Sequence, residues 1–377
     1  MDKNSVESII AAVEHGYDRI SHISITDISG PALETLATAM QQSLPTLQVF
    51  DLMSCDKSVP VLPETFLGGS APILQTFALD GIPFPTFPKF ILSSTHIRTL
   101  FMLDIPEFGY ISPNAMAACL AALLNLEDLS IGFRSPLSRP PQITQPPHTR
   151  IVLPALTQLS FCGASEYLED FVARIDTPFL NRLNLAFFMD LIFEIPRLRH
   201  FISRAGRLKP FDQLEARMEF YYGKIQMSVG SFELQIRCER PDRQLSSVVQ
   251  IFGQQLPLLS HVEKIEIFQS PSVDIEWIDN PDMDSSLWTE LFHLFIAVQS
   301  LRISEKLAPP IAAALHELTG ERIMEVLPVL HSLSLEAHGA SASVPEGIRS
   351  FVTSRQQSNH PVAMYLGIVM PSVVVPP

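Results

Sequence analysis

One phrase recurs through this 377-residue chain and limits what it can fold into: proline, one residue, an apolar residue, two residues, then two apolar residues separated by one. It stands at Pro45, Leu47, Phe50, Leu52; at Pro72, Leu74, Phe77, Leu79; at Pro154, Leu156, Leu159, Phe161; at Pro178, Leu180, Leu183, Leu185; and at Pro328, Leu330, Leu333, Leu335. The same spacing without proline is found at Ile20, Ile23, Ile25; Ile97, Leu100, Met102; Leu126, Leu129, Ile131; Val262, Ile265, Ile267; and Val298, Leu301, Ile303. The alternating apolar pair marks a short strand with one buried face, because successive side chains of a strand point to opposite sides. The first apolar positions from Ile20 to Leu180 follow one another at 23 to 30 residues. One match means little in a leucine-rich chain, but ten at near-regular spacing form an internal repeat.

Helical spacing fills the intervals. Ser112 and Pro113 make an N-cap and first-turn pair ahead of Met116, Leu120, Leu123 and Leu124. Ser165 stands in the same place before Leu168, Phe171, Val172 and Ile175, and Pro31 before Leu33, Leu36, Ala37 and Met40. Neither a lone strand nor a lone helix of this kind can bury its apolar face, so neighbouring units must bury it jointly. The phrase and its period are those of a leucine-rich repeat, with units of about 20 to 29 residues. The expected fold class is α/β, a leucine-rich-repeat-like solenoid or horseshoe with parallel strands on the concave face and helices on the convex face. It is expected as a single array over residues 1–366, with a frayed tail at 367–377.

The rhythm breaks in three places. Residues 135–150, SPLSRPPQITQPPHTR, are proline-rich and read as a solvated loop, an SH3-type ligand being the alternative. Over 198–261 the repeat is irregular: Ala216 to Phe220 and Ile225 to Cys238 alternate like strands with Gly230 at a turn, which suggests a β-ribbon or irregular units. From Leu256 the repeats resume with longer helices, and Val362 to Leu366 reads as a last strand.

Composition excludes several classes. With 46% hydrophobic and only 18% charged residues, the chain must bury a large core. No apolar run is long enough for a transmembrane helix, and MDKNSVESII has no signal-peptide pattern. A formal net charge of −14 argues against nucleic acid or an anionic membrane as partner. Cys55, Cys119, Cys162 and Cys238 are widely separated and are expected to be buried thiols in a reducing compartment. The expected location is cytoplasmic or nuclear.

Catalytic and cofactor motifs are not found: neither phosphate-loop, dinucleotide, nucleophile-elbow nor zincin patterns occur, so no catalytic residue, cofactor or metal is assigned. Gly68, Gly69 and Ser70 lack a following lysine and read as a tight turn. Asp279, Asp282 and Asp284 lack the glycine and terminal glutamate of a calcium loop and read as a solvated acidic loop. Arg197, Arg199, Arg204, Arg207, Lys209 and Arg217 form a basic stretch, and Asp274, Glu276, Asp279, Asp282, Asp284 and Glu290 an acidic one. Each is an ordinary solvated face or, alternatively, a field that steers a charged partner.

The strand alternation itself nominates a partner-binding face. Residues between the buried apolar positions point the other way: Thr99, Phe101 and Leu103; Asp128 and Ser130; Gln158 and Ser160; Arg182 and Asn184; Lys264, Glu266 and Phe268. Phe101 and Phe268 read as binding anchors or as rings covered by a neighbouring loop, with Arg182 and Lys264 adding charged contacts.

Several stretches resemble the F-box-like leucine-rich-repeat proteins expanded in mushroom-forming (basidiomycete) fungi: DISGPALETLA (27–37), VPVLPETFLGGSAPILQ (59–75), GYISPNAM (109–116), SEYLEDFVARIDTPFLNRLN (165–184), WTELFHLF (288–295) and LAPPIAAALHELTGERIMEVLP (307–328). The resemblance implies a substrate-recognition subunit of a cullin-RING ubiquitin ligase, in which an F-box binds a Skp-type adaptor and the repeats capture the protein target. The first repeat phrase begins at Ile20, leaving no room ahead of it for an F-box. Adaptor binding is therefore expected only if an F-box lies upstream. The alternatives are an orphan repeat scaffold with no ubiquitin role and an enzyme with an unrecognised site.

Overall fold

The computed structural model describes residues 3–135, 149–188, 195–208, 215–253, 259, 261–270, 285–318, 320–337 and 343–368. Most of the proline-rich segment, Lys209, the acidic residues from Asp274 to Asp284 and the tail from Val369 lie outside the described residues. The chain divides into one unit of residues 1–188 and 192–208 and a second of residues 189–191 and 209–377.

The first unit runs α1 (Lys3–Gly16), β1 (His22–Ile25), α2 (Gly30–Ala39), β2 (Val49–Met53), β3 (Thr76–Asp80), α3 (Phe87–Ile91), β4 (Thr99–Ile105), α4 (Pro113–Leu120), β5 (Asp128–Phe133), β6 (Ile151–Val152), β7 (Gln158–Gly163), α5 (Ser165–Val172), β8 (Ile175–Asp176), β9 (Arg182–Phe188) and α6 (Pro196–Arg204). Strands β1, β2, β3, β4, β5, β7 and β9 lie side by side in that order, all parallel, while β6 and β8 make a separate two-residue parallel pair. The register aligns equivalent repeat positions: Phe50 with Phe77, Phe77 with Leu100, Leu100 with Leu129, Leu129 with Leu159 and Leu159 with Leu183.

A backbone device sets this register. At each strand's start one carbonyl accepts two consecutive amides from the next repeat: Ser21 O from Gln48 and Val49, Gln48 O from Gln75 and Thr76, Gln75 O from Arg98 and Thr99, and so on through Thr157 O from Asn181 and Arg182. Each carbonyl thereby uses both lone pairs, and the amide just ahead of each strand is satisfied without a side chain.

The apolar face of the strands meets the helices. Phe77 stacks on Phe50 at 5.8 Å and on Phe87 of α3 at 5.7 Å, with Phe90 at 5.4 Å. Further along, Tyr167 of α5 packs on Phe133 and Phe161 at 4.7 and 5.7 Å, and its hydroxyl donates to Ile111 O at 3.0 Å. Aromatic pairs of this kind add to the burial of the rings themselves.

Helix starts show where residue patterns do and do not decide. Ser112 is the N-cap of α4 and accepts from the Ala115 amide at 3.3 Å. For α5 the expected cap is displaced: Ala164 occupies that position, and Ser165 is the first helical residue. The helix stops at Val172, so Ile175 belongs to β8, and α4 ends at Leu120, which leaves Leu124 exposed rather than on the apolar stripe. Helix α6, which has no capping side chain of its own, is capped from the preceding repeat. The Glu169 carboxylate accepts the Leu198 amide at 2.7 Å and the Arg197 amide at 3.0 Å.

The second unit opens with an antiparallel meander, β10 (Glu215–Tyr221), β11 (Lys224–Val229) and β12 (Phe232–Arg237). It continues with α7 (Pro241–Gly253), β13 (Lys264–Gln269), α8 (Ser285–His293), β14 (Ser300–Ser304), α9 (Ala308–His316), β15 (Ser332–Ala337), α10 (Glu346–Gln357) and β16 (Ala363–Ile368). The strand order is β12, β11, β10, β13, β14, β15, β16, with β10 parallel to β13 and every later pair parallel. Gly223 and Gly230, at φ +66° and +58°, make the two hairpin turns, where the twist of paired strands calls for positive φ. The shared-carbonyl device returns here: Glu263 O accepts from Gln299 and Ser300, and Gln299 O from His331 and Ser332. The final strand covers 363–368, reaching beyond the expected Leu366.

Two features of α10 hold the last repeat. Gly347 permits close helix packing, since a Cβ there would stand 2.2 Å from Ala312 O of α9. Arg355 is fully buried (0% exposed) and its guanidinium caps a turn: Nη1 donates to Ile323 O at 3.4 Å, and Nη2 to Leu327 O, Pro328 O and Leu330 O at 3.3, 3.1 and 3.3 Å.

The cysteines differ from expectation. Cys119 alone is buried, Cys162 and Cys238 are half-buried, and Cys55 is exposed just past β2, where the loop turns outward. Gly68 and Gly69 do form a turn, with φ +66° and +69°.

Candidate functional site on the outward strand face

The register places the nominated residues of the first unit in cross-strand rows. Thr99, Asp128, Gln158 and Arg182 form one row; Phe101, Ser130, Ser160 and Asn184 form the next; Leu103 lies one step further along β4. On β4, β7 and β9 these side chains leave the sheet opposite the apolar core, because those strands alternate buried and less buried positions, and the register carries Asp128 and Ser130 of β5 into the same rows although β5 is buried from Leu129 to Phe133. The rows offer donors, acceptors and one ring about 4.8 Å apart from strand to strand.

They are less open to water than a simple in-out rule implies. Arg182 is exposed, most of the others are half-buried, and Ser130 is buried at 9% exposure. Ser130 is small and sits in register between the Phe101 ring and Ser160. Asn184 Nδ2 donates to Ser160 Oγ at 3.3 Å. Burial pushes the Asp128 carboxyl above its usual range, with the Arg182 charge opposing the shift.

In the second unit the nominated Lys264, Glu266 and Phe268 of β13 belong to an ion-pair ladder. Lys264 Nζ reaches Glu215 at 3.0 Å and Glu266 at 2.9 Å, while Arg302 of β14 reaches Glu266 at 3.2 Å and also pairs with Glu336 of β15. Glu266 is therefore buried (9% exposed), not solvated. Burial acts to raise its carboxyl pKa, but the hydrogen bonds and charges of Lys264 and Arg302 outweigh that and hold it below its ordinary value. The bonds to Glu266 and Glu215 raise the Lys264 ammonium. Phe268 is not a bare anchor: Arg217 lies over its ring at 5.0 Å and Arg302 at 5.6 Å. The cover comes from side chains of the adjacent strands.

Several face residues were missed. Asp51 and Asp80 occupy outward positions of β2 and β3, next to Ala78 and Leu103 in the register. The same alternation rule, applied to the earlier phrases, points to them, as it does to Arg302 between Leu301 and Ile303. No sequence rule announces Asp104. It takes φ +46° at an irregularity in the β4–β5 register and pairs with Arg134 at 2.8 Å.

The basic stretch is largely neutralised by local partners. Arg197 pairs with Asp170 at 3.1 Å, Arg204 with Asp176 at 3.5 Å and Arg217 with Glu219 at 3.5 Å, and Arg207 covers the Phe179 ring at 4.5 Å. Of the acidic stretch only Glu290 is described, exposed on α8. Among the described residues no group of three or more His, Cys, Asp or Glu is placed to hold a metal ion, and no described helix is long and apolar enough to cross a membrane.

No family model and no curated protein matches the sequence. Among solved structures, the chain is similar to the crystal structure of the leucine-rich repeat-containing protein LegL7 from Legionella pneumophila. The TM-score is 0.31 and the identity 11%, covering 90% of this chain and 98% of that one.

Proposed function

We propose that this chain is a non-enzymatic protein-recognition module, a leucine-rich-repeat array over residues 1–366 with the strand face concave, whose outward rows take a protein target. The observation that carries the reading is the register itself. It gathers side chains from strands 20 to 30 residues apart into continuous polar rows around Phe101, on the face opposite the apolar side of β4, β7 and β9. Such a surface suits a macromolecular partner better than a small molecule, which calls for a concave pocket with a few converging polar groups.

The resemblance to F-box-like repeat proteins supports the finer reading of a substrate receptor for a cullin-RING ubiquitin ligase. Under that reading the chain works in the cytoplasm or nucleus, and a Skp-type adaptor joins it only through an F-box outside this sequence. An orphan scaffold without a ubiquitin role is the second reading.

Cross-linking mass spectrometry on the immobilised chain tests the surface: targets are expected on the strand rows, with Phe101→Ala and Arg182→Ala weakening capture without lowering thermal stability. Cross-links confined to the helices would overturn it. A pull-down with a Skp-type adaptor separates the two cellular roles; stoichiometric binding by the chain as given would show an adaptor site other than an F-box.

A further inference from the structure

The outward face carries phenylalanine in both units, but in different company. In the second unit Phe268 lies under two guanidiniums, Arg217 and Arg302, and carboxylates of the same ladder, Glu219, Glu266 and Glu336, pair with those cations. Ring, cations and anions complete one another within the chain. In the first unit Phe101 lies in register with Ala78, and Ala78 with Asp51; one step along the strands, Leu103 lies in register with Asp80, and Asp80 with Met53. Here the ring and the carboxylates are present, but among the described residues no cation lies over Phe101.

The Asp80 carbonyl accepts the Ser54 amide at 2.9 Å, but its carboxylate has no hydrogen bond or ion pair from any described residue. The guanidinium whose charge acts on it, Arg134, is hydrogen-bonded elsewhere: Nε donates to Asp104 at 2.8 Å, Nη1 to Asp56 O at 3.3 Å and Nη2 to Gly81 O at 3.4 Å. Among the described residues the Asp51 carboxylate accepts only the Ser24 hydroxyl, at 3.2 Å. Burial first, and then the like charges of Asp104 and Asp51, raise the Asp80 carboxyl above its usual range against the pull of Arg134. Ala78, the smallest side chain of the group, stands in register between Phe101 and Asp51, and all three are half-buried.

We infer that this patch is the seat for an arginine side chain of the protein target, the planar guanidinium lying on Phe101 above Ala78 with its N–H groups directed to Asp51 and Asp80. Arginine fits better than lysine because it stacks on a ring and offers several donors in a fixed fork, and its aliphatic stem suits the neighbouring Leu103 and Met53. The inference rests on the reading of the outward face as a target-binding surface and names the chemistry that face selects. Charge complementarity supports it: the chain is acidic overall, and among the described residues neither carboxylate has the cation partner that those of the second unit possess.

The test uses the full chain and a fluorescein-labelled peptide, acetyl-Leu-Arg-Leu-Arg-Leu-amide, with its lysine and glutamate counterparts, read by fluorescence anisotropy. The arginine peptide should bind more tightly than the lysine peptide. Asp80→Asn and Phe101→Ala should each weaken it about tenfold or more, while Glu34→Gln on the exposed side of α2, an equal change of net charge, should leave it unchanged. Ala78→Trp, which adds bulk between Phe101 and Asp51 and keeps every charge, should block the seat; thermal melts confirm that each variant is folded. Equal weakening by Glu34→Gln and Asp80→Asn would reduce the effect to bulk charge and overturn the seat. Preference for the glutamate peptide, or binding of none of the three, would also overturn it. In either case targets cross-linked to the strand rows would leave the broader reading standing, whereas cross-links confined to the helices would remove both.

Discussion

Arg355 gives the sharpest test of how the second unit is held together. Its guanidinium is buried, has no carboxylate partner among the described residues and satisfies carbonyls at Ile323, Leu327, Pro328 and Leu330 instead. Burial pushes its pKa down, as expected for a charge taken out of water. Arg355→Met keeps most of the stem and removes the donors. Leu327 O retains the Leu330 amide, at 3.0 Å, but the other three carbonyls lose a charged donor. Charge-assisted hydrogen bonds contribute about 1.5 to 3 kcal/mol each, and removing a buried charge returns several kcal/mol of desolvation cost. The balance is a loss of about 3 kcal/mol. Arg355→Lys should be no better, because an ammonium keeps the buried charge yet cannot span the turn from one point. Hydrogen exchange read by mass spectrometry is the assay: amides of residues 322–331 and of α10 should exchange about a hundredfold faster in both variants, while those of β2 to β4 serve as the internal reference. Protection in Arg355→Met equal to or above that of the parent would mean that desolvation outweighs the carbonyl bonds, and the clamp reading would be wrong.

Leu183 is fully buried in register with Leu159, so Leu183→Asp places an unpaired charge in the core. It should cost several kcal/mol, seen as a large drop in melting temperature; an unchanged melt would refute the repeat register. For Glu266, whose folded-state pKa is lowered, stabilisation is complete above the ordinary value of 4.5 and lost as pH falls through the folded value. Glu266→Gln should therefore cost about 1 to 2 kcal/mol at pH 7, the partners being partly exposed, and the difference in urea midpoint from the parent should vanish toward pH 3; a pH-independent gap would contradict the ladder. The exposed Cys55 should react with a thiol reagent in the native protein, while Cys119, pushed up to about 12 chiefly by burial, should react only on unfolding; mass mapping of the labelled site decides.

The strand phrases were legible because burial is a local demand: Phe50, Phe77, Leu100, Leu129 and Leu159 must each be apolar, and each shows in its own repeat. The turn at Gly230 and the cap at Ser112 were legible for the same reason, since a few adjacent residues carry them. What escaped depends on partners far apart in the chain. The shared carbonyls are backbone groups and leave no residue signature, and the cap of α6 comes from Glu169, 28 residues before the Arg197 amide that it accepts. Arg217, Phe268 and Arg302 meet only through the pairing of three strands, so Phe268 read alone offers an anchor or a ring under a loop, and not cover by two strand arginines. Ser165 shows the opposite error: a favourable residue one position too late, displaced by a chain that turns at Ala164.

The meander of the second unit contains three strands, and that number matters. Two reversals restore the original polarity, so β12 runs in the same sense as β10, and β10 as β13. The two outermost strands of the unit, β12 and β16, therefore point the same way. An insertion of two strands would have left its far edge reversed, and a repeat-type strand could no longer pair there in the parallel sense that the other repeats use. Parity thus acts as a filter on how a repeat gene can grow: copied units can be added or lost singly, but a hairpin-built insert is compatible with them only in odd counts.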